Sequence, residues 1–158
     1  MVIKDHAREI PEWVLSKMQY FCAYEERCIQ DVKTKLRTFH LQEDVYDSII
    51  NKLIKEDYLN EERFAKLFAS GKFRINHWGK NKIYSALLQK GLPELFIHEG
   101  LNEIDPHEYI TALRTLISKK SKEVIEPDFS KKIKKLANFA ISRGFEINLV
   151  WDVLNFKD

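Results

Sequence analysis

Five bases, Lys72, Arg74, Lys80, Lys82 and Lys90, fall between Gly71 and Lys90 with no acid among them. Phe73, Trp78 and Tyr84 are threaded through the same stretch. Cations neutralise phosphates and release the counterions condensed on a nucleic acid, and exposed rings stack on unpaired bases. The segment has the composition of a contact surface for a polyanion or an acidic protein face. A second reading fits the same residues: Phe73 and Tyr84 belong to a core, Trp78 packs in a turn, and the bases form a solvated face. A further basic run, Lys131, Lys132, Lys134 and Lys135, precedes Arg143. These lysines flank Ile133 and Leu136 and therefore point outward or sideways, either as a solvated helix face or as a second electropositive surface. Arg114 to Arg143 holds nine bases and three acids, a net +6, whereas Leu92 to Glu108 holds five acids and no Lys or Arg. The whole chain carries only +2, so it is locally polarised. Acids kept beside bases argue for a protein partner with basic patches of its own, because charge complementarity sets specificity and encounter rate.

Enzyme chemistry has no foothold in the pattern. The histidines, His6, His40, His77, His98 and His107, form no close pair such as HExxH. No Walker loop, GxGxxG or GxSxG occurs. The adjacent carboxylates Glu43-Asp44 and Glu61-Glu62 suit helix N-termini, where negative charge complements the macrodipole. No catalytic residue, metal ligand or cofactor is expected. Cys22 and Cys28 make no CxxC and cannot frame a disulfide scaffold, so they read as buried thiols in a reducing compartment. No apolar run reaches membrane-spanning length, and Met1 to Ile10 has no signal-peptide core. A cytoplasmic chain off the membrane is expected.

The elements that must hold these residues are helical. Apolar side chains recur at helix spacing in about nine stripes, among them Val14, Met18, Phe21, Cys22; Phe64, Leu67, Phe68, Ile75; and Ile133, Leu136, Ala137, Ala140, Ile141. Trp13 and Trp151 lie on such stripes and read as packing residues. Pro11, Pro93 and Pro106 suit first turns, Gly91 and Gly144 suit helix ends, and Asn60 suits an N-cap. Ile125 to Phe129 reads as a loop. An internal repeat follows from the helix ends. Taking Leu41, Leu92 and Phe145 as origins, spaced 51 and 53 residues apart, apolar residues recur nine before, five before, four after and nine after. One unit of about 50 residues buries little core alone, so neighbours must share it. The expected fold is all-α: three tandem three-helix repeats in an elongated, curved right- or left-handed array. The expected boundaries are an N-terminal extension at 1–12 and repeats at 13–59, 60–105 and 106–158.

Leu59-Asn60-Glu61-Glu62-Arg63-Phe64-Ala65, Gly71-Lys72-Phe73-Arg74, Trp78-Gly79-Lys80-Asn81-Lys82-Ile83 and Lys90-Gly91-Leu92 together resemble the central repeat of the RecX family of bacterial regulatory proteins. Cys22-Ala23-Tyr24-Glu25-Glu26-Arg27-Cys28 resembles the family's first helix junction, and Leu136 with Arg143-Gly144-Phe145 its third repeat. Ala86 departs from the pattern, which often has an acid there, and the junction from Lys119 to Phe129 is longer than the others. The resemblance implies a non-enzymatic modulator that binds the RecA recombinase filament on DNA and inhibits strand exchange and ATP hydrolysis. Direct DNA contact is compatible with it, and a monomer is the expected state. The contact residues it implies are Lys72, Arg74, Trp78, Lys80, Lys82, Lys90, Lys131, Lys132, Lys134, Lys135 and Arg143. The alternative reading is a stand-alone helical module for single-stranded DNA or RNA.

Overall fold

The computed structural model describes residues 9–155; most of the expected N-terminal extension lies outside them. Nine helices and no strand occur among the described residues. They are α1 (Glu12–Tyr24), α2 (Ile29–Arg37), α3 (Asp44–Lys55), α4 (Glu61–Arg74), α5 (Lys80–Gln89), α6 (Glu94–Asn102), α7 (Pro106–Glu123), α8 (Phe129–Ser142) and α9 (Ile147–Asn155). The order is a three-helix motif repeated three times. No helix among the described residues is long and apolar enough to cross a membrane.

Local chemistry sets the helix limits. Asn60 accepts the Arg63 amide at 3.0 Å and caps α4. Asp105 does the same for α7 with the Glu108 amide at 2.9 Å, and Pro106 stands in the first turn. The residue before each repeat origin is left-handed: His40 at φ 54°, Gly91 at 79° and Gly144 at 98°. At the last two, the next amide reaches back to close the helix, Leu92 to Leu87 and Phe145 to Ala140, each at 3.3 Å. The repeat is thus a repeat of backbone corners as well as of apolar residues.

The compact units number two, one ending at Phe64 and the other starting at Ala65 within α4. The first buries Val14, Met18 and Cys22 of α1, Val32 and Leu36 of α2, and Val45, Tyr46, Ile49, Ile50 and Leu53 of α3. Cys22 and Cys28 are in no disulfide, and both are buried. The start of α2 is held by carboxylates: Asp31 accepts the Cys28 amide and Glu61 accepts the Ile29 amide, each at 3.1 Å. Burial raises the Glu61 pKa, and the Ile29 amide opposes that rise. Arg63 spans Glu26 at 2.5 Å and Asp57 at 3.2 Å.

The second unit is built around Ala65, Ala69, Phe73, Ile83, Leu87, Ile97, Leu113, Leu136, Ala140, Phe145 and Val150. Two expectations are corrected here. Phe64 is buried as expected, but the other buried residues of α4 are Ala65, Ala69 and Phe73, while Leu67 and Ile75 are exposed. Backbone proximity decides this: a Cβ on Gly100 of α6 would stand 2.7 Å from the Ala65 carbonyl oxygen, so only small residues fit between these helices. In the third helix of each repeat, the position buried throughout is five after the origin (Tyr46, Ile97, Val150); at four after, only Val45 is buried. Trp13 also departs from a packing role. It is 53% exposed, and meets Phe39 edge to face at 5.6 Å.

Candidate functional site

The expected contact residues all lie in the second unit. Lys72 and Arg74 end α4, Trp78 lies in the turn after it, Lys80 and Lys82 open α5, and Lys90 closes α5. Lys131, Lys132, Lys134 and Lys135 occupy the first half of α8, and Arg143 caps its end.

The chain folds Trp78 back over α4 through a left-handed His77 at φ 58°. The Trp78 amide donates to the Lys72 carbonyl at 3.0 Å. The half-buried indole is then framed by two cations. Lys72 Nζ lies 4.8 Å and Lys82 Nζ 4.6 Å from its ring centroid. Lys80 Nζ lies 4.9 Å from the Tyr109 ring centroid. Cation–ring contacts of this kind contribute about 0.5–2 kcal/mol, and they fix long, otherwise mobile side chains at one surface.

The start of α5 is joined to the α8–α9 corner by main-chain bonds. The Gly79 amide donates to the Arg143 carbonyl at 2.8 Å and the Asn81 amide to the Gly144 carbonyl at 2.9 Å. The Lys80 amide donates to the Tyr109 hydroxyl at 3.0 Å, which in turn donates to Glu146. Helix N-termini leave four amides without an intrahelical partner; here the following repeat supplies acceptors for three amides at this start. A Cβ on Gly79 would collide with the Gly144 carbonyl group, and one on Gly144 with the Lys82 side chain. The glycines of Trp78-Gly79-Lys80 and Arg143-Gly144-Phe145 therefore exist for each other. Burial raises the Tyr109 pKa, and its bond to Glu146 adds to this, so the hydroxyl stays protonated.

The cluster consequently contains Lys72, Trp78, Lys80 and Lys82, with the Arg143 backbone beneath them. The Arg143 guanidinium turns to the Phe139 ring at 5.1 Å, which Lys120 Nζ also approaches at 4.7 Å. Helix rise of about 1.5 Å per residue puts the α8 lysines about 12–18 Å from Arg143 along the axis. The same rise puts Lys90 about 12–15 Å from Lys80 and Lys82. Arg74 is 65% exposed but shares its charge with Glu108 at 3.5 Å.

The acidic stretch is largely engaged within the chain. Glu94 accepts from the Tyr84 hydroxyl at 2.5 Å, Glu103 pairs with Lys66 at 3.5 Å, Glu108 pairs with Arg74, and Asp105 is a cap. Lys135 pairs with Glu126 at 2.9 Å and lowers the Glu126 pKa. Sequence reasoning missed Tyr109, Lys120 and Phe139. Nothing local in the sequence sets Tyr109 apart from other helical apolar residues, and the other two gain their role from cross-helix neighbours. No group of three His, Cys, Asp or Glu suited to a metal ion occurs among the described residues.

Comparison with known proteins places this arrangement. Residues 60–101, which hold α4, α5 and α6, match the family model described as RecX, second three-helix domain. The regulatory protein RecX of Clostridium acetobutylicum is 32% identical over 129 residues, covering 79% of this chain and 59% of that one. That of Bacillus cytotoxicus is 26% identical over 142 residues, covering 90% and 52%. The crystal structure of RecX from Lactobacillus salivarius superposes with a TM-score of 0.79 at 22% identity, covering 91% of this chain and 96% of that one. A second crystal structure, of a regulatory protein RecX, gives 0.83 at 19% identity, with 91% and 72% covered.

The chain belongs to the RecX family. Its all-α repeat fold is the RecX fold. The RecX relatives are named regulatory proteins, not enzymes. The chain spans between about half and three fifths of the length of these two curated RecX relatives. The RecX central-domain match contains Lys72, Trp78, Lys80 and Lys82 together.

Proposed function

We propose that this chain is a modulator of the RecA recombinase, binding the RecA filament on DNA and limiting strand exchange and ATP hydrolysis. The observation that carries the reading is the cation-framed Trp78 within the matched RecX central domain. Lys72, Lys80 and Lys82 supply positive charge and Trp78 a ring, at a place where the α5 start is anchored through backbone. A contact surface on such a rigid footing loses little side-chain entropy on binding. Arg74, Lys90, Lys131, Lys132, Lys134, Lys135 and Arg143 serve as further, separate contacts. The repeats run at 13–59, 60–105 and 106–158, and the several weak contacts carried on the second and third would act together along a polymer of identical subunits. The protein works as a cytoplasmic monomer, without a cofactor, and regulates by binding.

Co-sedimentation with recombinase filaments assembled on single-stranded DNA tests this. Wild-type protein should pellet with filaments and slow their ATP hydrolysis. The variant Lys72→Glu/Lys82→Glu should melt like wild type and lose both effects at least tenfold. Undiminished inhibition by the folded variant would refute the assigned surface, and absence of wild-type co-sedimentation would refute the function.

A further inference from the structure

The first unit carries none of the residues of that proposal, yet it holds an aromatic groove of about 580 Å³. Its rings are Tyr20, Phe21, Tyr24 and Phe39, its bases Lys17, Arg27 and Lys35, and no acid lines it. The spacing of positions 17, 20, 21 and 24 puts four of these residues on one face of α1. That face adjoins the buried Val14, Met18 and Cys22, and Phe21 and Phe39 at its inner edge pack against their core, while Tyr20 and Tyr24 lie on its outer side. Tyr20 and Tyr24 are 73% and 74% exposed, with centroids 6.4 Å apart and planes tilted by 33°. Core formation therefore does not account for them.

The cations are set around these rings. The Arg27 guanidinium lies 3.9 Å from the Phe21 centroid, fixed by donation from Nε to the Phe21 carbonyl at 3.2 Å and by pairing with Glu25. Lys17 Nζ is 5.7 Å and Lys35 Nζ 6.0 Å from the Phe39 centroid, so the two ammonium groups flank one ring.

We infer that this groove is a binding site for single-stranded nucleic acid, with unpaired bases stacked on Tyr20 and Tyr24 and phosphates met by Lys17 and Lys35. Tyrosine rings one helical turn apart offer a flat apolar face to each of two bases, and every base has such a face. The lysines lie where a backbone flanking those bases would run. Helix walls present no free main-chain edge, so an extended acidic peptide would lack the backbone pairing such segments use. Duplex bases are already stacked and would not reach the rings. The site is independent of the filament surface.

The test uses the whole chain without recombinase and a fluorescein-labelled 15-residue oligothymidylate, read by anisotropy across a salt series. Tyr20→Ala and Tyr24→Ala should each weaken binding by about 5–150-fold. Lys17→Gln/Lys35→Gln should flatten the slope of log K against log salt by about 1.4, or 0.7 per lost single-strand phosphate contact. A duplex of equal length should bind less tightly than the single strand. Wild-type affinity in a folded Tyr20→Ala/Tyr24→Ala variant overturns the proposal, as does failure of the wild type to bind the oligonucleotide. Binding of a Glu- and Phe-rich peptide that disappears in the tyrosine variant while DNA binding persists would reassign the groove to a protein partner. These variants leave Lys72, Trp78 and Lys82 intact, so filament co-sedimentation reports separately on the other surface.

Discussion

Three glycines of the second unit separate two costs that a side chain can impose. Gly91 has φ 79° and nothing within 4 Å of a built Cβ. Gly91→Ala therefore carries only the left-handed penalty, about 1–2 kcal/mol, partly offset by a less flexible unfolded chain; the net is about 1 kcal/mol. Gly79 has φ −78°, so Gly79→Ala carries no such penalty. Its Cβ instead lands on the Gly144–Phe145 peptide and must push the α5 start away from the α8–α9 corner. The bonds from Gly79 and Asn81 to the 143 and 144 carbonyls would stretch or break. At about 1 kcal/mol for each bond, and more where a buried group is left unmade, the cost is about 2–4 kcal/mol. Gly144→Ala combines both effects, with φ 98° and a collision with Lys82, for about 3–5 kcal/mol. Against a typical total of about 5–15 kcal/mol, that is a severe loss. Urea unfolding followed by far-UV circular dichroism should rank the variants Gly144→Ala, Gly79→Ala, Gly91→Ala, worst first. Amide exchange should quicken at Gly79 and Asn81 in the first two and stay slow in the third. If all three lose the same stability within about 0.5 kcal/mol, the close approach of the two glycines is not what holds this junction.

His40 pays the left-handed cost that glycine avoids at the equivalent corners. His40→Gly should therefore raise stability by about 0.5–1 kcal/mol once glycine's greater unfolded entropy is subtracted, and a lowered melting temperature would refute this. Cys22 gives a pH signature: burial pushes its thiol up from 9.0 to about 11, with Arg27 opposing. Because the unfolded thiol ionises first, the stability linked to this group is complete below pH 9 and is lost as pH rises towards 11. The contribution is about 2–3 kcal/mol. Unfolding across this range should show the wild type losing more stability than Cys22→Ala, and parallel losses would refute the linkage.

Much of the fold was legible in the sequence because helices announce themselves locally. The apolar stripes, the Asn60 cap and the left-handed glycines at 91 and 144 depend on residues within a turn of each other. The misread positions depend on how closely helices approach. Ala65 and Ala69 displace Leu67 and Ile75 from the core because α6 comes near through Gly100, and no local hydropathy pattern encodes that distance. The candidate site was half legible. Lys72, Trp78, Lys80 and Lys82 do gather, since the turn at His77 returns the chain on itself. The Lys131–Lys135 run does not join them, because it sits at the far end of its own helix. The pairing of Tyr20 with Tyr24 on an open surface has no signature in the sequence, since exposure is a property of what neighbours leave uncovered.

The bond from Gly79 to Arg143 also has a timetable. The acceptor lies 64 residues after the donor, so a ribosome adding about 5–20 residues per second makes the α5 start wait about 3–13 s for it. Through that interval water must serve the Gly79 and Asn81 amides that Arg143 and Gly144 will later satisfy. The central repeat therefore leaves synthesis with the start of its middle helix unfinished, and it completes itself only when the third repeat arrives.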